Sequence, residues 1–599
     1  MKTLKNIIFA VGFVWKRSKY SIFILVAQAM LVPLISIMNV WGFRYIIFTI
    51  ENRQGIKQFF FALIVFMALH ILCDFLDGIY RKLLLPQSTI RINRAIHFEL
   101  MQKASKLDIK CFDDADFYNK YTKALSEANS RLISILNSIA NFVGSFLSVA
   151  ALVGMIAAVQ PIMTIFALIS VALSFWISLY KNKAEYNVNN ELTPSKRRKS
   201  YVSRVLCQKE FSEEIRQFPK LAPILMNEYM ESTWQEYKTI KKFAGKLTMF
   251  EILHGLVGEL PVVVSMIYMG LGALGGRITL TDFTTAYNAV ENLTMQLSAF
   301  IHSLSGFNSH ALYIDNLKTI LDYQAEIEES GSEIKLKFKK EILFKNVFFQ
   351  YPGNGCEVLK NIDLTIAAGE KIALVGYNGA GKSTLVKLLI RLYDSTAGSI
   401  RVDGFDVRQV DVAEWRRNFG MVFQKYQVYA VSVAENVLMR KMESLEDEEK
   451  VISALKKVGL YDIVLKSPKG IHTIVTKEFD NDGLVFSGGQ VQKLALARIY
   501  ASDTRIVILD EPSASLDPYA EYELNQEIQK MDSGKTVIVI SHRLSCTSMM
   551  DKIYFMEDGQ ISEWGTHSQL MERGGKYATV YNIQKRSYDS GLAGDKGLW

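Results

Sequence analysis

The chain has 599 residues and a formal net charge of +8, with 49% hydrophobic and 22% charged residues. This balance excludes a disordered, collagen-like or disulfide-stapled chain, and the five scattered cysteines show no metal-ligand spacing. The basic surplus is compatible with nucleic acid, an anionic membrane surface or anionic ligands, and its distribution along the chain decides between them.

Long apolar runs occupy the first part of the chain. A membrane-spanning helix needs roughly 20 apolar residues, and six such spans are predicted. They lie at residues 21–42, 59–75, the two arms of 132–180 on either side of Gln160-Pro161, 247–274 and, more weakly, 283–307. We therefore expect a six-helix membrane domain over residues 20–325, whose helices extend well into the cytoplasm. Residues 1–19 predict an amphipathic helix on the inner leaflet.

The basic residues of this half predict its orientation. They crowd the second-to-third connection (Arg81, Lys82, Arg91, Arg94, Lys103, Lys106, Lys110) and the fourth-to-fifth (Lys181, Lys183, Lys196, Arg197, Arg198, Lys199, Arg204). Cytoplasmic loops carry such an excess, so both termini are expected in the cytoplasm. We interpret the run at 196–199 as a solvated helix face, and we expect no nucleic-acid partner.

Polar residues interrupt the last two predicted spans. Glu259 lies in an apolar run, where a charge is costly unless it faces water or a partner. The neighbouring polar residues are His254, Asn288, Glu291, Asn292, Gln296 and His302. One interpretation is that they line a polar translocation cavity, and the alternative is that they form hydrogen bonds between helices.

The second half, residues 333–585, has a different pattern. Short apolar runs alternate with helical patterns, which predicts an α/β domain with a mostly parallel, buried sheet. The polar, glycine-rich residues 586–599 are predicted to be a disordered tail.

A phosphate-binding motif opens this domain. Residues 376–384, GYNGAGKST, match the P-loop pattern between a strand-like and a helix-like run. Its candidate nucleotide-binding residues are Gly376, Asn378, Gly379, Gly381, Lys382, Ser383 and Thr384. The glycines let backbone amides approach phosphates. We expect Lys382 to reach the β- and γ-phosphates, and Ser383 to bind Mg²⁺.

A buried strand ending in two acids follows, IVILDE at residues 506–511. We expect Asp510 to hold Mg²⁺. Glu511 is placed to polarise an attacking water.

Between these motifs, residues 486–490 read FSGGQ, which resembles the LSGGQ signature of the ATP-binding cassette (ABC) family. Further family motifs occur in order: the adenine-stacking aromatic (Tyr351), the Q-loop glutamine that contacts Mg²⁺ (Gln424), the D-loop (Ser513 to Asp517) and the switch histidine (His542). The resemblance implies that Glu511, His542 and Gln424 are catalytic and that Ser383, Gln424 and Asp510 bind the metal.

The resemblance extends over the whole layout, because six spans followed by one cassette are typical of an ABC exporter half-transporter. It implies ATP and Mg²⁺ as cofactors and a head-to-tail dimer of cassettes, for which a homodimer is favoured and a heterodimer is possible. Each ATP would lie between the P-loop of one chain and the signature of the other. Ser487, Gly488, Gly489 and Gln490 would then serve the partner's nucleotide, with Asp517 nearby.

Two segments indicate which kind of ABC exporter the chain resembles. Leu107-Asp108 with Phe112 to Asn119, and Thr476 to Gly483, are similar to regions of lantibiotic-type peptide exporters, the first being a coupling-helix region. The alternative interpretation is that both are ordinary acidic loops. One departure is Phe486 in place of the usual leucine, for which we expect little effect because the phosphate-facing residues are intact.

The expected function is ATP-driven export of a peptide or peptide-like compound by alternating access, across the cytoplasmic membrane of a bacterium. The alternatives are a lipid or drug exporter or flippase, and a non-transporting ABC channel or regulatory subunit. The presence of both Glu511 and His542 argues against the regulatory form.

Overall fold

A computed structural model describes residues 2–327, 336–353, 355–512, 518–531 and 534–594. The chain forms two compact units. One contains residues 1–105 and 119–323, and the other contains residues 106–118 and 324–599. The segment 106–118 therefore belongs with the cassette unit, whereas its position between two spans had placed it in the predicted membrane domain.

Long helices make up the N-terminal half. They are α1 (Lys2–Arg17), α2 (Lys19–Glu51), α3 (Ile56–Ile79), a π-helical turn (Tyr80–Leu84), α4 (Leu85–Ala104), α5 (Lys110–Asp113), α6 (Ala115–Val159), α7 (Pro161–Cys207), α8 (Ser212–Gln217), α9 (Leu221–Leu274) and α10 (Leu280–Leu321). The turn between α6 and α7 falls at Gln160, as predicted. Pro161 begins α7, a position where the missing amide of proline costs nothing.

Four helical stretches in the described residues are long and apolar enough to cross a membrane. They are Lys19–Glu51, Ile56–Ala104, Arg131–Val159 and Leu221–Leu274, with mean hydropathies between 1.7 and 2.4. At most 28% of the most apolar window of each is buried inside the protein, so most of these apolar side chains face outward, as lipid contact requires. The helices α7 and α10 do not reach this threshold among the described residues, and six spans remain a prediction.

Helix α1 has two apolar faces. Phe13 and Val14 are buried in a core shared with α4, α6 and α10. Leu4, Ile8 and Trp15 are more than half exposed and lie on one stripe of the helix. An exposed apolar stripe of this kind is consistent with the predicted position of α1 in the membrane interface.

Two sheets form the core of the cassette. The strands are β1 (Glu341–Phe349), β2 (Leu359–Ala367), β3 (Lys371–Gly376), β4 (Ala397–Val402), β5 (Phe405–Asp406), β6 (Phe419–Val422), β7 (Ile506–Asp510), β8 (Thr536–Ile540), β9 (Lys552–Glu557) and β10 (Gln560–Gly565). An antiparallel sheet has the order β2-β1-β4-β5, and a second sheet has the order β10-β9-β3-β8-β7-β6. In the second sheet every pair except β10–β9 is parallel, which confirms the predicted fold class.

Helices surround the larger sheet. They are α11 (Lys382–Leu389), α12 (Val412–Arg417), α13 (Val433–Leu438), α14 (Leu445–Lys457), α15 (Tyr461–Leu465), α16 (Gly488–Ala501), α17 (Pro518–Lys530), α18 (His567–Arg573) and α19 (Lys576–Gly594). Residues 586–594 continue helix α19, in contrast to the disordered tail predicted over 586–599, and residues 595–599 lie outside the described residues. The first turn of α19 is fixed by the fully buried Tyr577, and extending a nucleated helix costs far less than starting one.

The order of the parallel strands positions the site. Strands β3, β8 and β7 are neighbours and end at Gly376, Ile540 and Asp510. The carboxyl ends of parallel strands lie at one edge of a sheet, where ligands of open α/β sheets bind. The P-loop, the acidic pair and the loop that carries His542 therefore meet at this edge.

Candidate functional site

The P-loop wraps around the side chain of Lys382. The Nζ atom of this lysine donates to the carbonyl oxygens of Gly376 (2.9 Å) and Tyr377 (2.8 Å), and burial lowers its pKa. Gly381 has a φ of 96° immediately before α11. A Cβ atom at Gly376 would lie 2.1 Å from the carbonyl oxygen of Met556, so this position accepts only glycine. The loop thus has the conformation and the cation that phosphate binding requires.

Asp510 is a buried acid at the end of β7. Burial and, to a smaller extent, the neighbouring Glu511 raise its pKa to about 6, although a hydrogen bond with Ser383 opposes the shift. Its Oδ1 atom is buried with no hydrogen-bond partner in the part of the chain that the structure describes. A buried carboxylate oxygen beside a serine hydroxyl is an oxygen donor set of the kind that Mg²⁺ prefers. The residues present therefore fit the metal that the resemblance implies.

Glu511 is held on both sides. Its Oε2 atom accepts from Gln424 Nε2 at 2.7 Å, and its Oε1 atom lies 2.6 Å from His542 Nε2. Its backbone amide donates to the carbonyl of Ile540 (2.9 Å), and its φ is 51°. A left-handed conformation at a residue other than glycine is strained and occurs preferentially at functional sites. Gln424 and His542 thus both contact Glu511, although the three residues expected to be catalytic come from three separate motifs.

Tyr351 lies beside the P-loop helix. Its hydroxyl is 3.0 Å from Thr384 Oγ1, and the Nζ atom of Lys387 lies 5.4 Å from the centre of its ring. The ring packs edge-on against Phe349 at a centroid distance of 4.9 Å. This aromatic side chain is therefore anchored to the element that carries the predicted phosphate ligands.

The signature residues begin helix α16. Phe486 is 9% exposed and packs in a core formed by α13, α14 and α16. The amide of Ser487 donates to Oε1 of Gln490 at 2.9 Å, which orders the start of the helix. Ser487 and Gly488 are exposed. The substitution of phenylalanine for leucine therefore falls on the inward face, away from the surface offered to a nucleotide.

The remaining predicted residues are placed as follows. Asn378 and Gly379 lie exposed at the tip of the P-loop, and Gly489 lies in the first turn of α16. Asp517 lies outside the described residues. Sequence reasoning missed Gln584 of α19, which donates to the carbonyl of His542 (2.7 Å) and accepts from the amide of Leu544 (2.9 Å). No motif marks this glutamine, which lies near the C-terminal end of the predicted cassette domain (residues 333–585).

The described hydrogen bonds and exposures of the polar residues in α9 and α10 bear on the two interpretations of them. The side-chain amides of Asn288 and Asn292 donate to carbonyls one turn earlier in their own helix, at 3.0 and 2.9 Å. Glu259 and Glu291 are exposed, and so is His302, whereas His254 is half-buried. The hydrogen bonds of the asparagines stay within α10 rather than between helices. The polar cavity remains a prediction.

Comparisons with known proteins agree with this geometry. Residues 359–514 match the family model described as ABC transporter. The chain is 27% identical over 486 residues to the subtilin transport ATP-binding protein of Bacillus subtilis, covering 81% of this chain and 78% of that protein. It is also 27% identical over 502 residues to the nisin transport ATP-binding protein of Lactococcus lactis, covering 82% of each.

A lipid flippase and a solved exporter structure are also similar to the chain. The ATP-dependent lipid A-core flippase of Escherichia coli is 31% identical over 329 residues, which cover 55% of this chain and 56% of the flippase. The structure of a bacterial Atm1-family ABC exporter with ATP bound superposes with a TM-score of 0.77 at 20% identity, over 94% of this chain and 98% of the other. Together with the P-loop and the FSGGQ segment, these matches show that the chain contains an ABC transporter domain, has the exporter fold and is homologous to lantibiotic transport ATP-binding proteins.

Proposed function

We propose that this chain exports a peptide or peptide-like compound across the cytoplasmic membrane of a bacterium. The observation that carries this proposal is the extent of the match to the subtilin and nisin transport proteins. Those alignments span 486 and 502 residues, which is longer than the cassette and so includes membrane helices. The membrane helices are the part of an exporter that contacts the cargo.

We propose specific roles for the cassette residues. Lys382 and the P-loop amides bind the phosphates of ATP, and Tyr351 stacks on the adenine. Asp510, Ser383 and Gln424 hold Mg²⁺, which neutralises phosphate charge when it is bound. Glu511 polarises the attacking water, and its contacts with Gln424 (2.7 Å) and His542 (2.6 Å) set the position of its carboxylate.

A second copy of the chain completes each nucleotide site in this proposal. Ser487 and Gly488 are exposed at the start of α16, where a helix N-terminus favours phosphate oxygens. The chain contains both halves of a composite site, the catalytic pair Glu511 and His542 as well as the signature. A homodimer would therefore have two complete sites, and this is why we favour it over a heterodimer. Asp517 would lie at the same dimer interface.

The proposed orientation places both termini in the cytoplasm. It rests on the concentration of lysine and arginine in the two long connections that follow the second and fourth predicted spans. The cassette then meets cytoplasmic ATP, and cargo leaves on the opposite side of the bilayer.

The test is vectorial transport. The purified chain is reconstituted in liposomes, and molecules with outward-facing cassettes are energised with Mg²⁺-ATP in the presence of a fluorescent nisin-class peptide. We expect ATP-dependent accumulation of peptide in the lumen, and none with Glu511→Gln. Because the flippase relative is 31% identical over 55% of this chain, a labelled lipid is assayed in parallel. Movement of lipid without peptide would refute the peptide assignment.

A further inference from the structure

The segment 106–118 is fixed within the cassette unit at its N-terminal end. The carboxylate of Asp108 is 7% exposed and accepts from the backbone amides of Glu326 (2.8 Å) and Ile327 (3.4 Å). Lys110 forms an ion pair with Glu326. These contacts join the segment to the stretch of chain that leads into β1.

A second anchor lies at the end of α5. The hydroxyl of Tyr393 donates to the Oδ2 atom of Asp113. Tyr393 is 5% exposed in the core between the two sheets. Burial and the hydrogen bond with Asp113 raise the pKa of Tyr393, so the hydroxyl remains a donor at physiological pH. The phenol is thus a buried side chain with one polar contact on the segment.

The ring of Tyr393 continues the contact toward the nucleotide site. It packs edge-on against the ring of Tyr351 at a centroid distance of 5.3 Å and an angle of 87°. Phe349 closes the cluster, with its ring 5.5 Å from that of Tyr393. Edge-to-face pairs of this geometry are favourable and directional. The orientation of Tyr351 therefore depends on the position of Tyr393.

We propose that Tyr393 is a positioning residue that links occupancy of the adenine site at Tyr351 to the segment 106–118 through Asp113. The inference rests on the proposed role of Tyr351 as the adenine platform. A base stacked on Tyr351 holds the aromatic cluster in place, and the cluster holds Asp113. By reciprocity, the contact with Asp113 strengthens binding of the base. The contact through Tyr393 responds to the adenine base, whereas Gln424 contacts Glu511 at the phosphate end of the site.

The experiment measures hydrogen exchange and nucleotide affinity in the full chain in lipid nanodiscs. The ligands are ADP, which has the base, and tripolyphosphate, which does not, each with Mg²⁺. In the wild type, we expect ADP to slow exchange in both residues 376–384 and residues 106–118, and tripolyphosphate to slow it only in residues 376–384. In Tyr393→Phe, we expect the Kd for ADP to rise about fivefold, the Kd for tripolyphosphate to stay constant, and residues 106–118 not to respond.

Asp113→Ala removes the same hydrogen bond by changing the exposed partner instead of the buried tyrosine. It should raise the Kd for ADP and abolish the response of residues 106–118 without disturbing the core. Asp116→Asn, an exposed acid of the same segment, is the matched control and should behave as the wild type. The inference is overturned if residues 106–118 respond to ADP in Tyr393→Phe as they do in the wild type, or if tripolyphosphate acts on them as ADP does. Failure of ADP to affect residues 376–384 would refute the nucleotide site itself and with it this inference.

Discussion

The Nε2 atom of His542 lies 2.6 Å from the Oε1 atom of Glu511. The two residues follow neighbouring parallel strands, β8 and β7, so the sheet itself brings them together. Gln424 follows β6, the next strand in the sheet, and contacts the other oxygen of the same carboxylate. These two contacts therefore fix the position of the carboxylate, which is the condition for efficient general-base chemistry.

The first prediction concerns this carboxylate. Glu511→Gln should lower the ATPase rate by about 10²- to 10⁴-fold, the usual contribution of a positioned base. Binding of ATP should persist, because the P-loop is unchanged, and the closed dimer should accumulate. The measurement is phosphate release by the chain in nanodiscs. Glu478→Gln, an exposed acid outside the site, is the control, and a mutant with full activity at position 511 would show that another group is the base.

The second prediction concerns the P-loop cation. Lys382→Ala should weaken ATP binding and lower hydrolysis by about 10²-fold or more, since a preorganised charge at the phosphates is lost. The measurement is binding of a fluorescent ATP analogue together with the ATPase rate. Lys345→Ala removes an exposed lysine of β1 and should change neither quantity. Unchanged nucleotide affinity in Lys382→Ala would contradict the assigned role.

The third prediction concerns the altered signature. Phe486 is buried in the core of α13, α14 and α16. Phe486→Leu should change the stability of the cassette by less than about 1.5 kcal/mol and leave the ATPase rate close to that of the wild type. Phe486→Ala should lower the free energy of unfolding of the cassette by about 3 to 5 kcal/mol, because it leaves a cavity. Thermal melting measures the stability of both variants, and an ATPase assay measures their activity. A large loss of activity in a stable Phe486→Leu variant would mean that the ring acts on the nucleotide.

The fourth prediction is a pH dependence of stability. Arg440 donates to both carboxylate oxygens of Asp447, at 2.5 and 2.7 Å, and the backbone amide of Glu443 also donates to this carboxylate. These hydrogen bonds hold the pKa of Asp447 well below its usual value. A depressed pKa stabilises the folded state above the pKa of the unfolded state, about 3.8, and this contribution is lost as the pH falls through the folded pKa.

Asp447→Asn should therefore lower the melting temperature at pH 7, and the difference from the wild type should persist down to about pH 4 and begin to shrink by about pH 3, below the pKa of the unfolded state. Glu446→Gln disrupts the exposed pair with Lys450 and should have little effect at any of these pH values, because exposed ion pairs contribute little. A difference between Asp447→Asn and the wild type that does not vary with pH would show that the stabilisation has another origin.

The motifs predicted the nucleotide-site residues and the parallel sheet, because each motif is a local pattern with a local physical reason. They did not predict that Gln424 and His542 contact opposite oxygens of Glu511, since this follows from strand order. The contact between Tyr393 and Asp113 joins residues 280 positions apart, and no periodicity indicates such a pair. For the same reason, the segment 106–118 was assigned to the membrane domain by its neighbours in the sequence.

The C-terminal segment shows that local composition can also predict the wrong structure. Its polar, glycine-rich composition predicted disorder, and composition describes what a segment prefers in isolation. Helix α19 starts on the buried Tyr577 and continues to Gly594. Packing of its first turns therefore outweighs the low helix propensity of the residues that follow.

Two copies of this chain are proposed to share each ATP, and dimers that combine two different variants test this sharing. Lys382→Ala disables the P-loop. Gly488→Asp places a negative charge on the signature, where a Cβ atom meets nothing within 4 Å, so folding should be unaffected. The two variants are co-expressed with different tags, and the mixed dimer is isolated through both.

Each variant alone has one defect in every composite site and should be inactive. The mixed dimer has one intact site and one with both defects, so we expect about half of the wild-type ATPase rate if the sites act independently. A mixed dimer as inactive as its parents would contradict the shared site.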